Sequence, residues 1–216
     1  DKLSQINEIK EVFVVTNDKF FALFKEWREK IKPDFKNLKI KIVNDGSKSP
    51  QDRKGAIGDI QFVIAGENIQ DDLLVIGGDN LFNFGIKDFI KFAKGHTPQV
   101  SIGLFDIRNK DEAVKFGVAD LNKDSRLLSF VEKPELPPST LIAMCLYYFP
   151  KDSLAQIKEY LKTENKKDAS GDYINWLRQR EPVYGYVFQG SWFDIGHIDS
   201  YSKANQLFKS HAKEVK

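Results

Sequence analysis

The stretch Leu73-Leu74-Val75-Ile76-Gly77-Gly78-Asp79-Asn80 decides the fold, because it joins a wholly apolar run to two glycines and an acid. Such runs are typical of strands buried in a parallel sheet, and ligands of α/β proteins bind beyond the carboxyl ends of these strands. Gly77 and Gly78 would let a ligand approach the backbone, and Mg²⁺ takes oxygen ligands from one or two carboxylates plus substrate phosphates. The stretch therefore predicts a buried strand followed by a metal-binding Asp79, with simple turn formation at Gly-Asp-Asn as the alternative.

Predicted strands and helices alternate on both sides of this stretch. Further strands are predicted at 8–17, 39–43, 99–107, 141–149 and 183–188, and helices at 20–31, 55–65, 85–93, 153–161 and 172–178. Two short strands at 116–121 and 126–132, separated by a polar turn, predict an inserted antiparallel hairpin. An apolar stripe predicts a last helix with Tyr201, Ala204, Leu207, Phe208, Ala212 and Val215 on one face. The predicted class is α/β, with a mixed, mostly parallel sheet.

Composition excludes several functions. The 216 residues carry 33 Lys and Arg against 31 Asp and Glu, a formal charge of +2, so there is no electrostatic case for binding nucleic acid or an anionic membrane. No apolar run reaches the roughly 18 residues of a membrane helix. With Cys145 as the single cysteine, an internal disulfide is ruled out. We expect a cytoplasmic protein with one domain over residues 1–216.

The second candidate site is Val131-Glu132-Lys133-Pro134, at the end of the hairpin. Proline disfavours helical backbone in the residue before it, which predicts an extended Lys133. An ammonium at a strand exit could hold a phosphate, while the carboxylate beside it accepts hydrogen bonds from hydroxyl groups. An ordinary solvated Glu-Lys pair is the alternative.

The third candidate is Gly190-Ser191-Trp192-Phe193-Asp194-Ile195-Gly196, an acid between large apolar side chains. Such surroundings are unfavourable for a carboxylate unless it is paired or bound to metal. Capping of a following helix by Asp194 is the alternative. Asp79 and Asp194 are thus the two predicted metal ligands, and we expect their carboxylates to meet at one rim of the sheet.

Five motifs, taken in order, resemble those of sugar-phosphate nucleotidyltransferases, and most of all glucose-1-phosphate thymidylyltransferases. They are GGDN at 77–80, FGVADLN at 116–122, VEKP at 131–134, YYF at 147–149 and GSWFDIG at 190–196. The resemblance implies a Rossmann-like fold with helices on both faces of the sheet. It also implies an enzyme that joins a nucleoside triphosphate to a sugar 1-phosphate and releases pyrophosphate, with dTTP and glucose 1-phosphate as the expected substrates.

The resemblance also implies roles for residues. Asp79 and Asp194 would hold Mg²⁺ and act in catalysis together with Lys133, which would bind the sugar phosphate. Glu132 would bind sugar hydroxyls and the backbone at Gly117 another edge of the sugar. The backbone at Gly78 would approach substrate, Gly55 would close over the nucleotide, and Trp192 is expected to pack behind Asp194.

One departure from the family concerns the N-terminus. The family opens with a strand and a G-x-G-T-R loop that grips the triphosphate, and nothing here matches them. Asp1 is not a translation start, since the only methionine is Met144. We expect a missing βα unit, an inactive 216-residue chain, and an exposed edge on the strand at 12–16. A second departure is Met144-Cys145, where many members have a small residue and glycine.

Two other functions stay open at this stage. A non-catalytic relative that binds nucleotide sugars would explain the absent loop. A glycosyltransferase that consumes nucleotide sugars would be expected to carry an Asp-x-Asp motif after a strand, whereas 77–80 offers a single acid. The base, the sugar and any homo-oligomeric state are not determined by the sequence.

Overall fold

The computed structural model describes residues 2–163, 170–196, 198, 200–202 and 204–205. Its strands are β1 (Glu11–Thr16), β2 (Lys39–Asn44), β3 (Leu73–Ile76), β4 (Asn80–Phe82), β5 (Ser101–Asp106), β6 (Gly117–Leu121), β7 (Leu127–Glu132), β8 (Leu141–Phe149), β9 (Tyr184–Phe188) and β10 (Trp192–Asp194). Its helices are α1 (Asp18–Ile31), α2 (Gly55–Gly66), α3 (Lys87–Lys94), α4 (Lys110–Ala113), α5 (Leu154–Thr163) and α6 (Ser170–Arg178). No helix in these ranges combines the length and apolarity needed to cross a membrane. The predicted last helix lies mostly outside the described residues.

The chain divides into two compact units. The first comprises Asp1–Asp71 and Leu154–Tyr173, and the second comprises Asp72–Ser153 and Ile174–Lys216. The first unit has a two-stranded parallel sheet, in which β1 pairs with β2. Asn17 caps α1 by accepting a hydrogen bond from the backbone N–H of Phe20. Among the described residues β1 pairs only with β2.

The second unit is built on a six-stranded sheet. The order is β7-β6-β8-β5-β9, and β3 pairs with β8. β8 runs antiparallel to β3, β5 and β6, whereas β5 and β9 are parallel. Fully buried apolar side chains fill this unit, among them Phe89, Ile102, Leu104, Val118, Ile142, Leu146 and Phe149. The segments β4 and β10 form a separate antiparallel pair.

The predicted α/β class and mixed sheet are confirmed, and so is the hairpin, which is β6 and β7. The prediction that the sheet is mostly parallel is wrong, because parallel pairing is confined to β1–β2 and β5–β9 among the described strands. Leu73–Ile76 is the predicted strand, but its neighbour β8 is antiparallel and its residues are half-buried. An apolar run indicates that a strand is covered and leaves the direction of its partner open.

Candidate active site

Asp79 and Asp194 are brought together by the β4–β10 pair in the second unit. Asp194 lies opposite Asn80 in the ladder, and the backbone N–H of Ile195 donates to the carbonyl oxygen of Asp79 at 2.8 Å. Although β4 and β10 have only three residues each, their pairing fixes the relative position of two acids that are far apart in the sequence. Antiparallel pairing therefore places both acids at the same end of the ladder.

Gly196 marks the point on which the two carboxylates converge. A Cβ at this position would lie 3.0 Å from Oδ1 of Asp194 and 3.5 Å from Oδ2 of Asp79. The backbone N–H of Gly196 donates to Oδ1 of Asp194 at 2.8 Å. A glycine here keeps a side chain away from both carboxylates, each of which has an oxygen within 3.5 Å of this one position.

The turn before β4 holds Asp79 through Asn80. The Asn80 side-chain amide lies 3.1 Å from the carbonyl oxygen of Gly77 and 3.4 Å from Oδ1 of Asp79. A Cβ on Gly77 would lie 2.8 Å from Nδ2 of Asn80 and 3.0 Å from Oδ1 of Asp79, so a larger residue here would push both side-chain ends aside. Gly78 is exposed, and a Cβ there would have no atom within 4 Å, which leaves its backbone accessible. Its role in binding stays a prediction.

Gly117, Glu132 and Lys133 form a second group, at one end of the β6–β7 hairpin. Gly117 lies directly opposite Glu132, and a Cβ on Gly117 would lie 2.9 Å from Oε2 of Glu132. The backbone N–H of Lys133 donates to the carbonyl oxygen of Phe116 at 3.0 Å. The predicted extended conformation of Lys133 is wrong, since its φ is 46°, in the left-handed region. The chain bends at Lys133, directly after β7, where the backbone N–H of Lys133 donates to Phe116.

Trp192 connects the two groups. Its indole N–H donates to Oδ1 of Asn80 at 2.6 Å, and its ring lies edge-on to Phe116 with 5.5 Å between ring centroids. Phe116 is the residue that accepts from Lys133 and precedes Gly117. The carboxylates and the hairpin end are thus joined through one aromatic side chain.

Gly55 belongs to the first unit and is described there alone. It is buried, begins α2 and has a φ of 75°, a backbone conformation that favours glycine. The polar loop before it contains a short 3₁₀ turn at Pro50–Asp52, capped by Ser49 and Asp52. Its role in closing over the nucleotide stays a prediction.

The donors present fit a hard divalent cation. No group of three or more His, Cys, Asp and Glu side chains is placed to hold a metal in the described part of the chain. Mg²⁺ keeps several waters and is bound by one or two carboxylates together with substrate phosphates, so it needs no larger set. Asp79 and Asp194, whose carboxylates both lie close to Gly196, match that requirement.

Sequence reasoning missed three residues that shape this site. Asn80, Gly196 and Phe116 lie within the motifs, but the sequence assigned no role to them. Only Gly196 had a usable signal in the sequence. A glycine two residues after Asp194 indicates that the backbone passes close to that carboxylate. The contact between Asn80 and Trp192 depends on the β4–β10 pairing, which no local pattern predicts.

The structure thus combines a mixed α/β fold with two neighbouring carboxylates at the β4–β10 pair and a lysine directly after β7. The family model for nucleotidyl transferases matches residues 2–211, and the chain belongs to this family. A solved structure similar to this chain is that of a Bacillus anthracis protein described as a glucose-1-phosphate thymidylyltransferase, in complex with a sucrose. The two share 18% identity with a TM-score of 0.74, over 95% of this chain and 78% of the other. The match establishes a common fold, and the family resemblance predicted from the motifs is confirmed.

Proposed function

We propose that this protein joins a nucleoside triphosphate to a sugar 1-phosphate with release of pyrophosphate, with dTTP and glucose 1-phosphate as substrates. The observation that carries the proposal is that the carboxylates of Asp79 and Asp194 both lie within 3.5 Å of the Cβ position of Gly196. Membership of the nucleotidyl transferase family supports the reaction class. The likeness to the Bacillus anthracis protein supports the choice of substrates.

In the proposed reaction, an oxygen of the sugar phosphate attacks the α-phosphorus in line, a new P–O bond forms, and the bond to pyrophosphate breaks. Lys133 binds the sugar phosphate and holds the attacking oxygen in position, which removes an entropic part of the barrier. Glu132 accepts hydrogen bonds from sugar hydroxyls, and the Gly117 backbone binds beside it. When bound, Mg²⁺ supplies positive charge to the phosphate oxygens. Asp79 and Asp194 hold it in position.

Two substitutions test these roles separately. Lys133→Ala should weaken sugar 1-phosphate binding, because the ammonium contacts a phosphate already present in the ground state. Asp79→Asn should mainly lower turnover in the intact enzyme, because charge on the transferring group develops in the transition state. Steady-state measurement of pyrophosphate release with dTTP, glucose 1-phosphate and Mg²⁺ separates KM from kcat. Equal loss of kcat with unchanged KM in both variants would contradict the assignment.

The substrates are tested by pairing each common nucleoside triphosphate with glucose, galactose and mannose 1-phosphates in the same assay. Faster release with another pair would correct the substrates and keep the reaction. Binding of a thymidine diphosphate sugar in calorimetry, without pyrophosphate release from any pair by the intact protein, would favour the non-catalytic relative and overturn the enzymatic proposal.

A further inference from the structure

The indole of Trp192 determines how the Asn80 amide is oriented. An indole N–H is only a donor, so the amide atom 2.6 Å from it must be Oδ1. The Nδ2 atom then points the other way, to the Gly77 carbonyl oxygen at 3.1 Å and Oδ1 of Asp79 at 3.4 Å. An amide turned around would place two donors face to face at Trp192. The indole therefore fixes the donor that lies beside the Asp79 carboxylate.

The indole itself is held in place by its surroundings. Its ring lies 5.5 Å from the ring of Phe116 and 6.0 Å from that of Phe105, measured between centroids. Its backbone is held in the ladder opposite Phe82, whose side chain is buried. Trp192 is thus a rigid donor, and a rigid donor can keep a neighbouring group in one geometry.

We propose that Trp192 is a positioning residue, which acts through Asn80 to hold the Asp79 carboxylate in the orientation that binds a divalent cation. The inference rests on the proposed function, since it takes Asp79 as a metal ligand. Residues that orient a metal ligand from outside are worth about 10- to 100-fold in metal affinity. Trp192 needs no contact with the substrate for this role.

Trp192→Phe tests the proposal, because it removes the N–H and keeps an aromatic ring against Phe116. With Mn²⁺ as the probe in calorimetry, the affinity should fall roughly 10-fold. The affinity for glucose 1-phosphate without metal should stay within about twofold, since the hairpin end is not disturbed. Trp27→Phe is the matched control, because Trp27 is 42% exposed on α1, and it should bind Mn²⁺ as the wild type does.

Asn80→Ala supplies a second variant that leaves the aromatic packing intact. It should weaken Mn²⁺ binding by a similar factor, and adding Trp192→Phe to it should cause no further loss, because both changes break the same connection. Wild-type Mn²⁺ affinity in Trp192→Phe would overturn the positioning role. So would an undiminished effect of Trp192→Phe in the Asn80→Ala background, or an equal loss of Mn²⁺ and glucose 1-phosphate.

These outcomes separate the two proposals. A wild type that binds neither Mn²⁺ nor glucose 1-phosphate would overturn the proposed function and the positioning role together. A wild type that binds both, with Trp192→Phe indistinguishable from it, would overturn the positioning role alone.

Discussion

Among single residues, Asp45 and Asp59 form an acid pair outside the candidate site. Asp45 is 7% exposed and accepts hydrogen bonds from the backbone N–H and the hydroxyl of Ser47, at 2.7 and 2.6 Å. Burial, and then the negative charge of Asp45, raise the pKa of Asp59 from 3.8 to about 6, although Lys54 acts in the opposite direction. The folded chain therefore holds a proton on Asp59 over a range of pH in which the unfolded chain has released it.

Asp59→Asn should remove the pH dependence that this proton causes. An acid with a higher pKa in the folded state stabilises that state below its unfolded pKa, and this contribution is lost as the pH rises through the folded value of about 6. The difference in unfolding free energy between Asp59→Asn and the wild type should thus grow in favour of the variant between about pH 4 and 7. We expect about 1–2 kcal/mol, less than the full shift would give, because Asp59 is only partly buried.

Urea unfolding at a series of pH values measures this difference. Asp71→Asn is the control, because it removes an exposed carboxylate of the same unit. A flat difference for Asp59→Asn would show that Asp59 in the folded chain does not keep its proton above the pH at which the unfolded chain releases it.

The candidate acids could be predicted from the sequence because each shows a local signal. Asp79 follows an apolar run and two glycines, and Asp194 lies between aromatic and aliphatic side chains. Lys133 was found as a candidate but given the wrong backbone, since the proline rule does not include its hydrogen bond to Phe116. The contact between Trp192 and Asn80 could not be predicted, because it joins distant segments through a three-residue ladder.

At the scale of elements, strand positions were predictable and strand partners were not. The predicted strand at 141–149 has the same bounds as β8, whose nine residues are mostly buried. β8 pairs with three strands, β3, β5 and β6, along its two edges. An apolar run does not predict any of these partners. Side-chain periodicity reports which faces are covered, whereas direction and order depend on how the connections cross the sheet.

Gly117→Ala should disrupt the end of the β6–β7 hairpin. A Cβ there would lie 2.6 Å from Cζ of Phe130 and 2.9 Å from Oε2 of Glu132, and Phe130 is 1% exposed and has little room to move. Overpacking of this kind costs typically 1–3 kcal/mol, so we expect about 2 kcal/mol in unfolding free energy. The displaced Glu132 carboxylate should also weaken glucose 1-phosphate binding.

Thermal and urea unfolding check the stability, and calorimetry checks the binding. Gly85→Ala is the matched control, because a Cβ at Gly85 would have no atom within 4 Å. Similar unfolding free energies for the two variants would mean that the hairpin end relaxes around the methyl group, and the expected overpacking at Gly117 would then be wrong.

At the scale of the whole molecule, the two units differ in how completely their elements are covered. In the first unit β1 pairs only with β2 among the described residues, and α1 has no buried residue while Phe20, Leu23 and Trp27 are 41%, 59% and 42% exposed. In the second unit β5 has β8 and β9 on its two edges, and its first four residues are buried. Hydrophobic burial is the main favourable term in folding, so the first unit should be the less stable of the two.

The first unit should therefore unfold at a lower urea concentration than the second. Trp27 reports on the first unit and Trp192 on the second, while Trp176 lies in the second unit on α6, whose first residues belong to the first. Fluorescence of the Trp176→Phe/Trp192→Phe variant should show the earlier transition, and that of Trp27→Phe the later one. Hydrogen exchange on the wild type is the control for the substitutions, and it should find faster exchange in β1 than in β5, since an edge strand leaves alternate amides without a ladder partner. Coincident transitions together with equal protection of β1 and β5 would show that the open edge of β1 costs no measurable stability, and that the two units unfold as one cooperative structure.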